Sequence, residues 1–409
     1  MHIAGTLLFA ASAFALAPAA QAQDVAIRGE TVHTMAGPAI TDGVVVIEDG
    51  TIVAVGPAAS TPIPEGFAVV EAKVVTPGLV DARTVVGLAG YMNQPHDQDQ
   101  LDASAPVQPQ LRAIDAYNPD EALIAWLRGF GVTTIHTGHG PGALVSGQTM
   151  IAKTIGTTAD AAVVVPRAMV AANLGPGAMA ESGKAPGTRA KQIAMLRAAL
   201  LAAKEAEASK AGKKSKADTG SDKPPSLEVL TMRDVLAGKL PLLVTANRAQ
   251  DIMSALRLRR EFGINLVLDS AAEAYLLTDQ IKAAGVKVIL HPPMARQYGE
   301  FENASFTTGS VLKAAGIPFA YQSGFESYVP KTRVVLFEAG IAAANGLAWN
   351  DALASITIDA ARVIGMEQRI GSLEVGKDGD VALFDGDPFE YTTHAVGVVI
   401  GGTVISQTR

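Results

Sequence analysis

Between residues 77 and 365 short apolar runs alternate with longer stretches whose apolar side chains recur at helical spacing. Residues 131–135, 161–165, 240–244, 264–268, 286–290 and 317–321 are the strand candidates, each four or five apolar or β-branched positions long. Helical patterns separate them. Between 249 and 262, Ile252, Met253, Leu256 and Phe262 fall near one face and Arg257, Arg259 and Arg260 fall elsewhere. Repeated strand–helix units over this length predict an α/β fold of the closed (β/α)8 TIM-barrel type, with any site at the C-terminal ends of the strands.

The two ends of the chain have a different texture. Residues 43–56 read as strand, Asp49-Gly50 turn and strand, because Asp-Gly accepts the positive φ angles of a two-residue hairpin. Residues 381–384 and 396–405 are again strand-like, the latter broken by Gly401-Gly402. Residues 23–76 together with 366–409 are therefore expected to form one small β-sandwich domain, and 77–365 the barrel. Residues 204–226 hold Lys, Ala, Ser, Gly and Asp with no large apolar side chain, and are expected to be a flexible surface insertion. Lys210, Lys213, Lys214 and Lys216 there are offset by Asp218 and Asp222, which favours a solvated loop over an anion-binding patch.

Composition narrows the function. A net charge of −7 argues against a nucleic-acid partner. The absence of cysteine removes disulfides, thiolate nucleophiles and cysteine-based zinc sites. Residues 7–17 form an apolar run followed by Ala20-Gln21-Ala22, which reads as a signal peptide over 1–22. Periplasmic export is the expectation, with no membrane span in the mature form.

Several segments carry a resemblance. Val75-Thr76-Pro77-Gly78-Leu79-Val80-Asp81-Ala82, Leu111-Arg112-Ala113-Ile114-Asp115, Gly131-Val132-Thr133-Thr134, Ser146-Gly147-Gln148 and Gly371-Ser372-Leu373-Glu374-Val375-Gly376-Lys377 together resemble the amidohydrolase superfamily, close to its imidazolonepropionase-like and prolidase-like branch. The resemblance covers nearly the whole chain beyond residue 22. It implies a metal-bearing barrel with a small β-sandwich, and hydrolysis of C–N bonds in active members.

The resemblance also implies where ligands should stand. After Asp81, the His-x-His slots hold Arg83 and Val85. The strand-five slots hold Thr245 and Asn247, followed by Arg248; the strand-six slot holds Ser270; the strand-eight aspartate slot holds Gly324. Valine and glycine side chains cannot ligate, and a guanidinium repels a cation. The chain is thus expected to be a degenerate member with no catalytic residues, no metal and no cofactor. It would act as a structural or regulatory partner of an active amidohydrolase homologue or of a second copy of itself. Two alternatives stand beside this. His136, His139 and His291, joined by Asp81 or Asp269, could converge at the barrel mouth and hold zinc for a rebuilt C–N hydrolase, against their being ordinary loop histidines at an exposed rim whose removal leaves folding intact. Or the emptied pocket, with Arg83, Arg112 and Arg248 near it, could bind a carboxylate-bearing small molecule such as an acylated amino acid. Arginines of this kind also serve simply as partners for nearby aspartates. Ser323 and Ser270 have no base assigned from sequence, and no Gly-x-Ser-x-Gly elbow, Walker loop or dinucleotide fingerprint is present.

Overall fold

The computed structural model describes residues 24–92, 94–180, 183–212, 224–326 and 332–406. The segment read as a signal peptide lies outside the described residues. The strands are β1 (Val25–Val32), β2 (Ile40–Glu48), β3 (Thr51–Pro57), β4 (Ala68–Pro77), β5 (Leu79–Thr84), β6 (Val132–Thr137), β7 (Val145–Gln148), β8 (Met150–Lys153), β9 (Val163–Val165), β10 (Val170–Asn173), β11 (Leu242–Thr245), β12 (Leu266–Ser270), β13 (Lys287–Leu290), β14 (Phe319–Tyr321), β15 (Val381–Phe384), β16 (Ala395–Ile400) and β17 (Thr403–Ser406). The helices are α1 (Ala122–Arg128), α2 (Ala159–Ala162), α3 (Arg189–Gly212), α4 (Leu227–Leu236), α5 (Ala249–Phe262), α6 (Thr278–Ala284), α7 (Thr308–Ala315), α8 (Val335–Ala344), α9 (Trp349–Ser355) and α10 (Ile358–Ile364). Among the described residues no helix is long and apolar enough to cross a membrane.

A seven-stranded sheet joins the two ends of the chain, in the order β17-β16-β15-β4-β1-β2-β3. Its first hairpin turns at Asp49 (φ 47°) and Gly50 (φ 75°), the left-handed pair that a tight two-residue turn requires. β4 lies parallel to β1 and antiparallel to β15, with Val75 opposite Leu383.

The remaining strands form a six-stranded sheet, β14-β13-β12-β11-β10-β7, and a four-stranded sheet, β5-β6-β8-β9. The fold is mixed α/β, but the pairing does not run as one closed ladder of parallel strands. β7 and β8 are antiparallel to their neighbours, and they are consecutive in the chain with Thr149 between them, so one extended segment is shared between the two sheets. At the other border the one backbone pairing among the described residues between β5 and the end of β14 is a Thr84–Gly324 bridge, where the Gly324 amide donates to the Arg83 carbonyl at 3.0 Å.

Period two sorts the side chains of the parallel strands. Leu242 and Val244, Leu266 and Leu268, Val288 and Leu290, and Phe319 and Tyr321 belong to the large core shared with the helices. Leu243, Val267, Ile289 and Ala320 point the other way and join Val80, Ala82 and Ile151 in a second cluster, against which α10 sets Ala360, Ala361, Val363 and Ile364. Two residues further along each strand, on that same inner side, come Thr245, Asp269, His291 and Gln322.

Residues 204–212, expected within a flexible insertion, continue α3. The physical reason is composition: Ala, Lys and Glu lose little side-chain freedom in a helix, so a segment without large apolar groups still extends one already nucleated. Ser226, at the other end of that expected insertion, caps α4, its hydroxyl accepting from the Val229 amide at 3.3 Å.

Candidate functional site

The C-terminal ends of β5, β10, β11, β12 and β14 open onto a cavity of about 330 Å³. Its floor carries Arg83, Asn173, Thr245, Asp269, Ser270 and Gln322; its far wall is the loop 292–301 with Tyr298, Glu300 and Phe301; Phe325 and Glu326 stand on the opposite side. Tyr298 is exposed and the floor residues are buried, save Thr245, which is half-buried. The cavity is therefore polar and amide-rich below, with the Arg83 guanidinium beside the Asp269 carboxylate, and aromatic at the rim.

Arg83 occupies the floor at 5% exposure. Its Nη1 donates to the Thr84 carbonyl at 2.7 Å and its Nη2 donates to the His139 carbonyl. Burial pulls the guanidinium below its ordinary pKa, while Asp269 and then Asp81 hold it up. Asp269 accepts from Thr245 Oγ1 at 2.5 Å and from Gln322 Nε2 at 2.8 Å, so both of its oxygens are engaged. Ser270 and Ala271 follow at φ 69° and 49°, a left-handed turn of non-glycine residues that aims the end of β12 at the cavity.

Asp81 lies beneath this floor rather than on the cavity wall. Its carboxylate accepts from the Ser323 amide at 3.0 Å and from the Ser323 hydroxyl, and Thr332 Oγ1 donates to Ser323 Oγ at 2.6 Å. Burial pushes Asp81 up to about 6 against the opposing pull of Ser323 and Arg83. A carboxylate partner for Ser323 was invisible in the sequence, because the two residues are 242 positions apart.

Of the positions singled out from sequence, Arg83, Val85, Thr245, Asn247, Ser270 and Gly324 line the cavity. Arg248 does not. It precedes α5, and its guanidinium is spent on Glu273 (3.1 Å), Glu302 (2.7 Å) and the Gly299 carbonyl (2.8 Å). Arg112 is likewise engaged, with Asp115 at the surface. The ion-pair reading of these two arginines is the one the structure supports.

The three histidines are buried, which corrects the reading of them as exposed rim groups. His136 lies within β6. Its Nδ1 donates to the Ala82 carbonyl and its Nε2 faces Thr149 Oγ1, each at 2.7 Å, so neither nitrogen is free for a metal. Burial and the nearby Arg83 bring it down to about 3. His139, also beside Arg83, is brought down to about 4, and neither of its ring nitrogens has a partner. His291 Nδ1 donates to the Pro292 carbonyl at 2.8 Å; its Nε2 has no partner and burial brings the ring to about 4. Among the described residues no three His, Asp or Glu side chains converge as a metal would need. The donor set at the cavity floor does not fit one either, since a guanidinium, an isopropyl group and a glycine stand at the slots implied by the resemblance.

Comparisons with known proteins now bear on this geometry. Residues 244–406 match the model of the Amidohydrolase family. An amidohydrolase from Thermotoga maritima superposes with a TM-score of 0.86 at 26% identity, covering 94% of this chain and all of that one. The imidazolonepropionase of Rhizorhabdus wittichii is 25% identical over 386 residues, 88% of this chain and 92% of that protein. The chain belongs to the amidohydrolase superfamily. A more local match is amidohydrolase tasK of Hapsidospora irregularis, 34% identical over 97 residues, which span 24% of this chain and only 10% of that protein.

The residues that sequence reasoning missed are Asn173, Gln322 and Glu300. The first two share one signal: each stands at or just beyond a strand's end, two positions after a small buried residue, Ala171 and Ala320. Glu300 sits in a single 3-10 turn, Gly299–Phe301, too short to give a periodic signal.

Proposed function

We propose that this superfamily member does not run metal-assisted hydrolysis, and that its cavity holds a small carboxylate-bearing molecule. The observation that carries the reading is Arg83: a buried guanidinium on the cavity floor, at the slot where the resemblance implies a metal-ligating histidine. A cation there repels a metal ion and pairs with a carboxylate. The aromatic rim suits an acyl or aromatic group attached to that carboxylate. The seven-stranded sheet is read as the small β-sandwich domain, supported by a cluster that brings Val25, Ile27 and Ile52 together with Val381, Leu383 and Val399. The two other sheets are read as arcs of one barrel, supported by the inner cluster that draws on β5, β8 and β11 to β14.

The test is calorimetric titration with N-acetyl-L-phenylalanine and with its methyl ester, repeated with added zinc. The acid should bind, the ester should not, and both should remain uncleaved. Equal binding of acid and ester removes Arg83 as the anchor; zinc-dependent cleavage of the amide ends the non-hydrolytic reading.

A second reading, assembly with an active homologue or a second copy, is favoured by an aromatic strip at the surface. Trp126 (37% exposed) and Phe337 (51%) each stack edge-on against Phe130, with ring centroids 5.3 and 5.2 Å apart. Native mass spectrometry of the protein from its source would reveal such a partner.

A further inference from the structure

The loop after β13 walls the cavity, and Glu300 ties it to the neighbouring elements. Glu300 Oε2 accepts from the Gly177 amide at 3.2 Å. Its Oε1 is buried without a partner. Asp251, in the first turn of α5, is 1% exposed; its Oδ1 accepts from Arg189 Nε at 2.8 Å, and its Oδ2 is also buried without a partner. Both orphan oxygens border the space beside Gly175. A Cβ built on Gly175 would lie 2.3 Å from Glu300 Oε1 and 3.0 Å from Asp251 Oδ2. Gly175 has φ 92°, a conformation open to glycine, and so leaves that space to the carboxylates.

Two carboxylate oxygens are both acceptors, so neither can satisfy the other unless a hydrogen stands between them. The nearby cations do not bond the two orphan oxygens. Arg189 is held by the other oxygen of Asp251, and Arg248 by Glu273, Glu302 and the Gly299 carbonyl. Leaving both carboxylates charged, with one buried oxygen of each unpartnered, is the costly alternative.

We propose that Glu300 and Asp251 share one proton, and that this carboxyl–carboxylate contact is a latch holding the 292–302 loop against the cavity. Its role as a control on ligand entry rests on the binding function proposed above; the latch itself does not. Burial first, and then Asp251, hold the Glu300 carboxyl above its ordinary value, with Gly177, Arg189 and Arg248 pulling the other way. An acid raised in the folded state stabilises at low pH, and that stabilisation is lost as pH rises through its folded value. The latch is thus closed in acid and released toward alkali.

Hydrogen exchange of the full-length protein, read by mass spectrometry and corrected for intrinsic rates, tests it. Wild type is compared at about pH 5 and about pH 8 with Glu300→Gln, whose amide can donate to Asp251 at either pH. In wild type, protection of the peptide containing 299–302 should fall about tenfold or more at the higher pH, one pKa unit's worth. In E300Q it should stay high at both. A wild-type protection indifferent to pH, or an equal fall in E300Q, overturns the proposal. A fall that calcium restores and EDTA renews also overturns it, by putting a cation between the carboxylates. No ligand enters the experiment, so a failure of carboxylate binding and a failure of the latch are separate results.

Discussion

Replacing Arg83 by methionine keeps the length and packing of the side chain and removes the charge at the centre of the site. Asp81 and Asp269 both support the guanidinium electrostatically, and all three are nearly or fully buried. Removing one partner from a buried ionic group costs about 3–5 kcal/mol, because the remaining charge stays in a poor solvent. Asp81 sets how that loss varies with pH. With Arg83 present its carboxyl already stands at about 6 instead of 3.8, a shift equivalent to about 3 kcal/mol in favour of the protonated form. Without the guanidinium it should titrate higher still. An acid raised by folding stabilises below its unfolded value and loses that contribution as pH rises through its folded value. R83M should therefore be most destabilised above neutrality and recover toward wild type in mild acid, where Asp81 takes up a proton. Urea unfolding followed by the fluorescence of Trp126 and Trp349, at about pH 5 and about pH 8, measures both parts. The same variant should bind the carboxylate probe about 30-fold or more weakly, as expected when a charged hydrogen-bond partner is deleted. Equal urea midpoints for R83M and wild type at the higher pH, or a larger loss in acid, would refute the account of Arg83 as a paired buried cation.

Other outcomes follow from neighbouring residues. His136→Ala should destabilise by about 2–4 kcal/mol, since it opens a cavity and removes the buried hydrogen bonds to the Ala82 carbonyl and the Thr149 hydroxyl; a thermal melt equal to wild type would contradict this. Glu338 accepts from the Met294 amide at 2.8 Å and is pushed up to about 7 by burial. Wild type should lose about 3 kcal/mol of its stability from this group as pH rises from about 4.5 through about 7. Glu338→Gln should flatten that part of the urea-midpoint profile, and an unchanged profile would remove Glu338 as its source. Lys153 joins β8 to Asp378 and Asp380 just before β15, and Asp380 is 4% exposed. Lys153→Met should cost about 3–5 kcal/mol by leaving those carboxylates unpaired, measurable as a lower urea midpoint.

Much of the architecture was legible because burial on a parallel sheet writes itself as short apolar runs. β6 and β11 to β14 lie within two residues of the runs read from sequence. What escaped was β7 and β8. Gly138 to Gly147 reads as a loop by composition, yet part of it enters an antiparallel strand, since glycine is tolerated where a backbone approaches another closely: a Cβ on Gly147 would meet the His139 ring at 2.4 Å. For the site, the strand-end positions were legible and their partners were not. Arg83, Thr245 and Ser270 follow from the ligand slots that the family resemblance implies, but Asp81 meeting Ser323, or Asp269 meeting Gln322, depends on which strands lie opposite. The misreading of His136 has a simple cause: β6 continues two residues beyond its apolar run, carrying a polar ring into the interior, where two hydrogen bonds compensate its burial.

The sheet that joins both ends of the chain has a consequence for synthesis. β4 pairs with β1 as soon as the first strands exist, but its other edge waits for β15, which lies about three hundred residues further on. Until then Val74, Val75 and Thr76 present an unpaired strand edge to whatever is nearby. A nascent chain halted anywhere between β5 and α10 should therefore be the sticky, chaperone-dependent species, and the arrival of β15 to β17 should be the event that covers the edge.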